Sequence, residues 1–360
     1  MSDKKRALIA MSGGVDSSVA VHLMQKAGYD CIGATMCLYE GTQCENKAED
    51  TTCGSSSAVK DAEAVAKHFD IPFRAYDYRE DFKDEVICRF VNTYIVGGTP
   101  NPCVECNRYM KFGRLMDKMR KEDCDYVVTG HYVRVEYDEF RGQYILKKGR
   151  DESKDQSYVL YNLTKEQLAH CKFPLGEYSK EEIREIAEQL GLLNAKKKDS
   201  QDICFVPDGD YASFIEEYTG QSFEEGNFVS RDGKVLGRHK GMIRYTIGQR
   251  KGLGLSLQEP MYVYEKRMDT NEVVLCRNDE LFSSVLEAED VNWIVEPEKG
   301  KTVHCKAKAR YKQKEADAVV ECLDNGKVRV TFEEPQRGIT TGQSVVFYDG
   351  DTVLGGGRIL

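Results

Sequence analysis

Between Arg6 and His131 the chain alternates short apolar runs with helix-periodic segments, and nothing else in it limits the fold as strongly. "RALIAM" is strand-sized and apolar, while "DSSVAVHLMQKAGY" has helical spacing and stops at Gly28. "CIGATMCL", "PFRAYDY" and "YVVTGH" (126–131) are further strands, separated by the helical "SSSAVKDAEAVAKHFD" and "DFKDEVICRFVNTYIVGG". Strands alternating with helices predict an α/β fold with a doubly wound, mostly parallel sheet. Such sheets bind ligands outside the carboxyl ends of their strands. The ends of "RALIAM" and "YVVTGH" are therefore the places to search.

Downstream the texture changes. Residues 133–148, "VRVEYDEFRGQYILKK", alternate about a polar turn and predict a hairpin. In "YSKEEIREIAEQLGLL", Ser179 and Glu182 form a capping box; Ile183, Ile186, Ala187 and Leu190 line one face; Gly191 ends the helix. This reads as a structural helix. "PDGDYASFIEEYTG" is a short helix, followed by the Gly-rich, basic "GKVLGRHKGMIRYTIGQRKGLG". From about residue 283 short strands and turns predict a small C-terminal β-barrel domain. The 360 residues thus divide into a catalytic α/β domain (1–205), a small central domain (206–280) and the β-barrel domain (281–360).

A net charge of −9 argues against a protein that coats nucleic acid nonspecifically. It leaves room for RNA on a local basic surface such as "KGKTVHCKAKARYKQK". No apolar run approaches the roughly 20 residues of a membrane span, and the first residues carry no apolar leader. A cytoplasmic protein without a membrane partner is expected. Thirteen cysteines in such a chain are thiols rather than a disulfide scaffold. Cys31, Cys88, Cys124 and Cys276 sit in apolar patterns and read as small buried hydrophobes.

Three stretches stand out chemically. "AMSGGVDSS" (Ala10, Met11, Ser12, Gly13, Gly14, Val15, Asp16, Ser17, Ser18) lies at a strand-to-helix turn. Its glycines let a ligand approach the backbone, and the N–H groups at the helix start suit an anion. The serines add hydroxyl donors, and Asp16 can hold Mg²⁺ bound to a phosphate. No Gly-Lys-Ser/Thr follows, so this is not the common P-loop. In "GGTPNPCVECNRYMKFGRLM", Pro100 and Pro102 force an extended approach to a helix whose first turn carries Cys103 and Cys106. Exposed N–H groups at a helix start favour a thiolate, and one turn separates the two thiols. "KKKDSQDICFVPDGDY" places Cys204 in a loop with apolar flanks.

Taken in order, "SGGVDSS", "NPCVECN", "TGHY", "KDQSYVL", "SQDICF", "GQRKGLG", "ARYKQ" and "TGQSVVFYDGD" resemble the bacterial tRNA-specific 2-thiouridylase family across essentially the whole chain. "SGGVDSS" by itself resembles the signature of the wider PP-loop, or ATP pyrophosphatase, superfamily. The resemblance implies ATP-dependent 2-thiolation of the wobble uridine of tRNA. AMP is transferred to the C2 oxygen, pyrophosphate leaves into the glycine loop, and sulfur then displaces AMP. It implies that Cys106 carries the sulfur as a persulfide. Cys204 is its partner and closes a transient disulfide with Cys106 that must be reduced each cycle.

The resemblance also implies that Met36 and Gly130 line the nucleotide, and that Asn101, Pro102 and Cys103 touch the target base. His131, the loop Lys154, Asp155 and Gln156, the pair Arg310 and Tyr311, and Gln343 would contact tRNA. An arginine and an aromatic ring suit an unstacked RNA base. "GQRKGLG" (248–254) would be a glycine-hinged basic loop that orders on tRNA. The partners implied are the anticodon arm of tRNA and a cysteine desulfurase or sulfur-relay protein as donor.

One departure matters. The commonest family pattern has Asp where Cys103 stands. The extra thiol leaves three chemistries open: a [4Fe–4S] cluster on Cys103, Cys106 and Cys204 presenting hydrosulfide, a persulfide relay, and a zinc or purely structural cysteine pair. Cys44 and Cys53 have a spacing that argues against their being ligands. Two rival functions are another PP-loop adenylating enzyme, such as an amide-forming synthetase, and a tRNA-binding paralogue without catalysis.

Overall fold

A computed structural model of the chain describes residues 4–39, 56–192, 194–195, 197, 203–298, 300 and 302–360. Its first strand, β1 (Arg6–Ala10), is apolar because both faces are covered; Ala7, Leu8 and Ile9 are fully buried. Strands β2 (Asp30–Cys37), β3 (Phe73–Asp77) and β4 (Tyr126–Val128) follow, then the hairpin β5 (Val133–Asp138) with β6 (Gln143–Lys148), and the short β7 (Cys171–Lys172). The parallel sheet has the order β3-β2-β1-β4-β7. Chain order reverses between β1 and β4, so the loops after these two strands open at the switch point. The expected doubly wound sheet is therefore present.

Helix Val15–Lys26 follows β1 and ends at Ala27, before Gly28 in the left-handed region. Helix Ser56–His68 connects β2 to β3 in the expected place. Helix Lys180–Gln189 has the full Ser179–Glu182 capping box and buries Ile183 and Ala187. These two residues share one core with Val19, Ala20 and Ile9. Each Val or Ile side chain withdrawn from water here contributes about 1.5–3 kcal/mol.

The described chain forms two compact units. The first holds Met1–Ile87, Cys103–Pro207 and Asp351–Val353; the second holds Cys88–Pro102, Asp208–Gly350 and Leu354–Leu360. The sequence reading put 88–102 with the catalytic domain, whereas here it belongs with the second unit. The reason is aromatic packing: Tyr94 stacks on Tyr211 at 4.7 Å, Phe90 lies edge-on to Phe214, and Cys88 meets the Tyr218 hydroxyl at 3.1 Å.

Within the second unit, β8 (Gly226–Ser230), β9 (Val235–His239), β10 (Tyr262–Arg267) and β11 (Glu272–Cys276) make a sheet of order β10-β11-β8-β9 around Phe228, Val263 and Leu275. Strands β12 (Phe282–Trp293), β13 (Val303–Lys308), β14 (Ala316–Cys322), β15 (Val328–Arg337), β16 (Ser344–Asp349) and β17 (Thr352–Ile359) form the expected barrel. They run β12-β15-β14-β13-β16-β17, and β17 pairs back onto β12. The β17–β12 pairing closes the barrel, and the hairpin β5–β6 adds onto β17 in the same sheet.

Candidate active site

The loop between β1 and helix Val15–Lys26 is held open by its own hydroxyls. The Ser12 amide donates to Ser17 Oγ at 3.2 Å, and the Ser17 and Ser18 hydroxyls donate to the Gly14 carbonyl at 3.0 and 2.9 Å. Gly13 has φ of +71°, and a Cβ there would stand 2.8 Å from the Ala58 carbonyl oxygen. Asn194 donates to the Gly13 carbonyl at 3.1 Å and to Ser18 Oγ at 2.9 Å. Gly14 is the N-cap and supplies no side-chain cap. The first N–H groups of this 12-residue helix thus face the loop without a capping oxygen, which is the electrostatics an anion needs. Met11 and Val15 are buried beneath the cradle. Met36 is buried near the end of β2, where its residue pairs with Tyr76 of β3.

Asp16 has partners that sequence reasoning missed. The Lys180 ammonium lies 2.8 and 2.9 Å from its two carboxylate oxygens, and the Tyr132 hydroxyl donates to one of them at 2.7 Å. The lysine side chain is 6 % exposed. The carboxylate that the sequence reading assigned to Mg²⁺ thus pairs with an ammonium in this structure. The helix taken as purely structural therefore delivers a charge to the loop. A signal was present: Lys180 is the first residue of its helix, where a cation opposes the dipole and needs an anionic partner.

The end of β4 packs directly on the loop. A Cβ on Gly130 would lie 2.9 Å from the Asp16 carbonyl carbon and 3.0 Å from the Ser17 nitrogen. His131 is buried, with Nδ1 2.7 Å from Thr129 Oγ1 and Nε2 3.4 Å from Lys111 Nζ. Burial and the lysine charge hold its pKa well below the usual imidazole value, so the ring is neutral. With Lys111 donating to Nε2, Nδ1 carries the proton and donates to Thr129. The ring lies against Phe112 and Phe173, with centroids 6.1 and 6.2 Å away.

Lys111 belongs to the segment that carries the thiols. Pro102–Glu105 forms one α-helical turn, and Cys106–Arg114 continues as a π-helix. Cys103 is exposed, and Cys106 and Cys204 are half-buried. The wider π turn was not legible in the sequence. Asn107 ties this helix to the turn Ser157–Val159 by donating to the Val159 carbonyl at 2.9 Å. The Cys204 carbonyl accepts from the Tyr39 hydroxyl, and the adjacent Phe205 ring meets Phe82 edge-on at 5.7 Å. Among the described residues, no three His, Cys, Asp or Glu side chains surround one point as a metal ion requires. Cys44, Cys53 and positions 196 and 198–202 of the third stretch lie outside the described residues.

Cys31, Cys124 and Cys276 are buried as expected, whereas Cys88 is only half-buried, with its sulfur against the Tyr218 hydroxyl. Burial pushes Cys31, Cys124 and Cys276 up to about 11, far from a nucleophile's range. The residues expected to touch tRNA fall into two kinds. Asp155 accepts from the Gly149 amide at 3.1 Å and from the Ser157 hydroxyl at 2.7 Å, and Gln156 Oε1 accepts from the Tyr132 amide at 3.0 Å. These two shape their own loop, while Lys154 beside them is half-buried.

In the second unit, Arg310 donates to the Ile247 carbonyl at 3.1 Å, to Thr340 Oγ1 at 2.5 Å and to the Gly338 carbonyl. Its neighbour Tyr311 is 37 % exposed. Gln343 donates to the Thr99 and Pro100 carbonyls at 2.8 and 3.3 Å. Asn101 is half-buried and Pro102 buried. In the loop 248–254, Gly248 N–H donates to the Val263 carbonyl at 2.7 Å and Leu253 is buried, while Arg250 and Lys251 are exposed.

Family models match the chain in three consecutive blocks. One described as tRNA methyl transferase HUP domain covers residues 5–208, a tRNA methyl transferase PRC-barrel domain covers 212–277, and an aminomethyltransferase beta-barrel domain covers 283–359. The tRNA-specific 2-thiouridylase MnmA of Acetivibrio thermocellus is 48% identical over 356 residues, spanning 99% of each chain. The tRNA-specific 2-thiouridylase MnmA 1 of Thermoanaerobacter sp. is 49% identical over 359 residues, covering 100% of this chain and 99% of its own. The tRNA-specific 2-thiouridylase MnmA of Clostridioides difficile is 47% identical over 356 residues, with 99% and 98% covered.

Proposed function

The chain belongs to the tRNA-specific 2-thiouridylase family, and from that premise we propose that it thiolates C2 of a wobble uridine through an adenylated intermediate and a persulfide on Cys106. One observation carries the reading. The cysteine-bearing helix and the glycine loop meet at the end of β4: Lys111 lies 3.4 Å from His131, and the neighbouring Gly130 packs on Asp16 and Ser17. A base extruded from the anticodon loop would meet both reactive groups there.

The chemistry follows from the groups. The C2 oxygen attacks the α-phosphorus of ATP, the α–β bridging bond breaks, and pyrophosphate leaves into the loop of Ser12, Gly13, Gly14 and the helix N–H groups. AMP on C2 is then a competent leaving group. The terminal sulfur of a Cys106 persulfide attacks C2 and the C2–O bond breaks, expelling AMP. Cys204 thiolate attacks the Cys106 sulfur, the sulfur–sulfur bond to the base breaks, and thiolated uridine leaves with that electron pair. A Cys106–Cys204 disulfide remains for an external thiol to reduce. The loop's fixed cation is Lys180 on Asp16, and no step is assigned to a metal cluster.

The test uses purified protein, tRNA transcript, ATP, and a cysteine desulfurase with cysteine as the persulfide source. Cys106→Ser is expected to abolish thiolation. Cys204→Ser is expected to stop after one turnover with tRNA held covalently on the protein through sulfur. Cys103→Ala should retain most activity in iron-free protein. An inactive Cys103→Ala protein, with wild-type activity tracking bound iron, would overturn the relay in favour of a cluster.

A further inference from the structure

We infer that Gln343 is a positioning residue whose amide, together with the turn around it, fixes the Thr99–Pro100 backbone from which the chain enters the Cys103–Cys106 helix. This rests on the reading that Cys106 carries the sulfur. The segment Gly98–Pro100 and the barrel turn Thr340–Gln343 lie in the same unit. Thr99 N–H donates to the Thr341 carbonyl at 2.9 Å, while Gln343 Nε2 donates to the Thr99 and Pro100 carbonyls. A primary amide carries two N–H donors, and here they meet two carbonyls.

The chemistry of the segment explains why a donor is required. Pro100 and Pro102 have no N–H and hold their preceding residues extended. The segment therefore presents carbonyls that a carboxylate could not hold. Two glycines make the approach close enough. A Cβ on Gly342, whose φ is +88°, would lie 2.8 Å from Thr93 Cγ2 and 3.3 Å from the Thr99 nitrogen. On Gly98 it would lie 3.2 Å from the Thr341 oxygen. The turn is itself anchored: Gly342 N–H donates to the Ile359 carbonyl at 2.9 Å, and Ile359 N–H returns to the Gln343 carbonyl at 2.8 Å. Cys103 follows Pro100 by three residues, and both prolines restrict the backbone between them. A side chain expected to bind tRNA is thus spent on the backbone that precedes the nucleophile.

The test compares wild type with Gln343→Met, which removes both donors without adding charge, and Gln343→Glu, which also sets a carboxylate against two carbonyls. In tRNA-free protein, amide exchange at Thr99 is expected to quicken roughly tenfold in both variants, and the rate of Cys106 alkylation should change with it. The kcat for thiolation should fall roughly tenfold, with tRNA Kd within about twofold of wild type. A variant that raises Kd tenfold while leaving kcat and Thr99 exchange unchanged would make Gln343 a tRNA contact and overturn the inference. So would an unprotected Thr99 amide in wild-type protein, a measurement that needs no variant. If Cys106→Ser retained thiolation, the sulfur-carrier assignment would fail separately, because Thr99 exchange is read without any chemistry.

Discussion

At the scale of single residues, the charge that matters is the one on Lys180. A buried ammonium held by both oxygens of Asp16 neutralises the loop's carboxylate before any triphosphate arrives. Removing one member of such a pair strands the other. Lys180→Met should lower stability by about 3 kcal/mol and raise the KM for ATP roughly tenfold. Thermal denaturation and initial rates check this, and Asp16→Asn added to Lys180→Met should recover part of the stability.

His131 makes a second prediction, read from pH. Its pKa is depressed in the folded protein, so below the ordinary value of 6.5 the unfolded chain takes up a proton that the folded chain refuses. Stability should therefore decline as pH falls through that value, and His131→Gln should flatten the decline. Equal slopes of Tm against pH for the two proteins would contradict it.

At the scale of elements, the end of β4 is a packing surface for the phosphate loop. Gly130→Ala forces a methyl group against the Asp16–Ser17 backbone at about 3 Å. Overpacking of this kind costs about 1–3 kcal/mol, and here the strain falls on the loop itself. The expected result is a roughly tenfold weaker ATP KM with tRNA affinity unchanged. The π-helix Cys106–Arg114 is the other informative element. π turns cluster at functional sites, and this one carries both Cys106 and the lysine that reaches His131. Its sequence reads as an ordinary amphipathic helix because backbone hydrogen-bond spacing is set by what the helix packs against. The capping box of helix Lys180–Gln189 was legible, since a cap is a local bond between residues three apart; the Asp16 partner, 164 positions away, was not.

At the scale of the whole molecule, a protein of net charge −9 must bind RNA through local basic surfaces. Strand β13 contributes Lys306 and Lys308, with Lys312 exposed beyond it. Each phosphate neutralised adds about 0.7–0.9 to the slope of log affinity against log salt. Replacing Lys308 and Lys312 by Ala should reduce that slope by roughly 1.5 and weaken binding to all tRNAs alike. A slope that stays put would place the RNA elsewhere. Among the described residues, no helix is long and apolar enough to cross a membrane.

By itself the sequence determined whatever depends on neighbours along the chain: the alternation that makes a parallel sheet, the glycine loop at its switch point, the caps, and the barrel strands. Hydrophobic periodicity and turn chemistry are short-range properties, so they survive without coordinates. Tertiary structure decided what depends on distant partners. It gave Asp16 a lysine partner from a distant helix, buried His131 beside Lys111, and turned Gln343 toward Thr99 and Pro100. A side chain's identity states which bonds it can make, and only its surroundings decide which of them it does make.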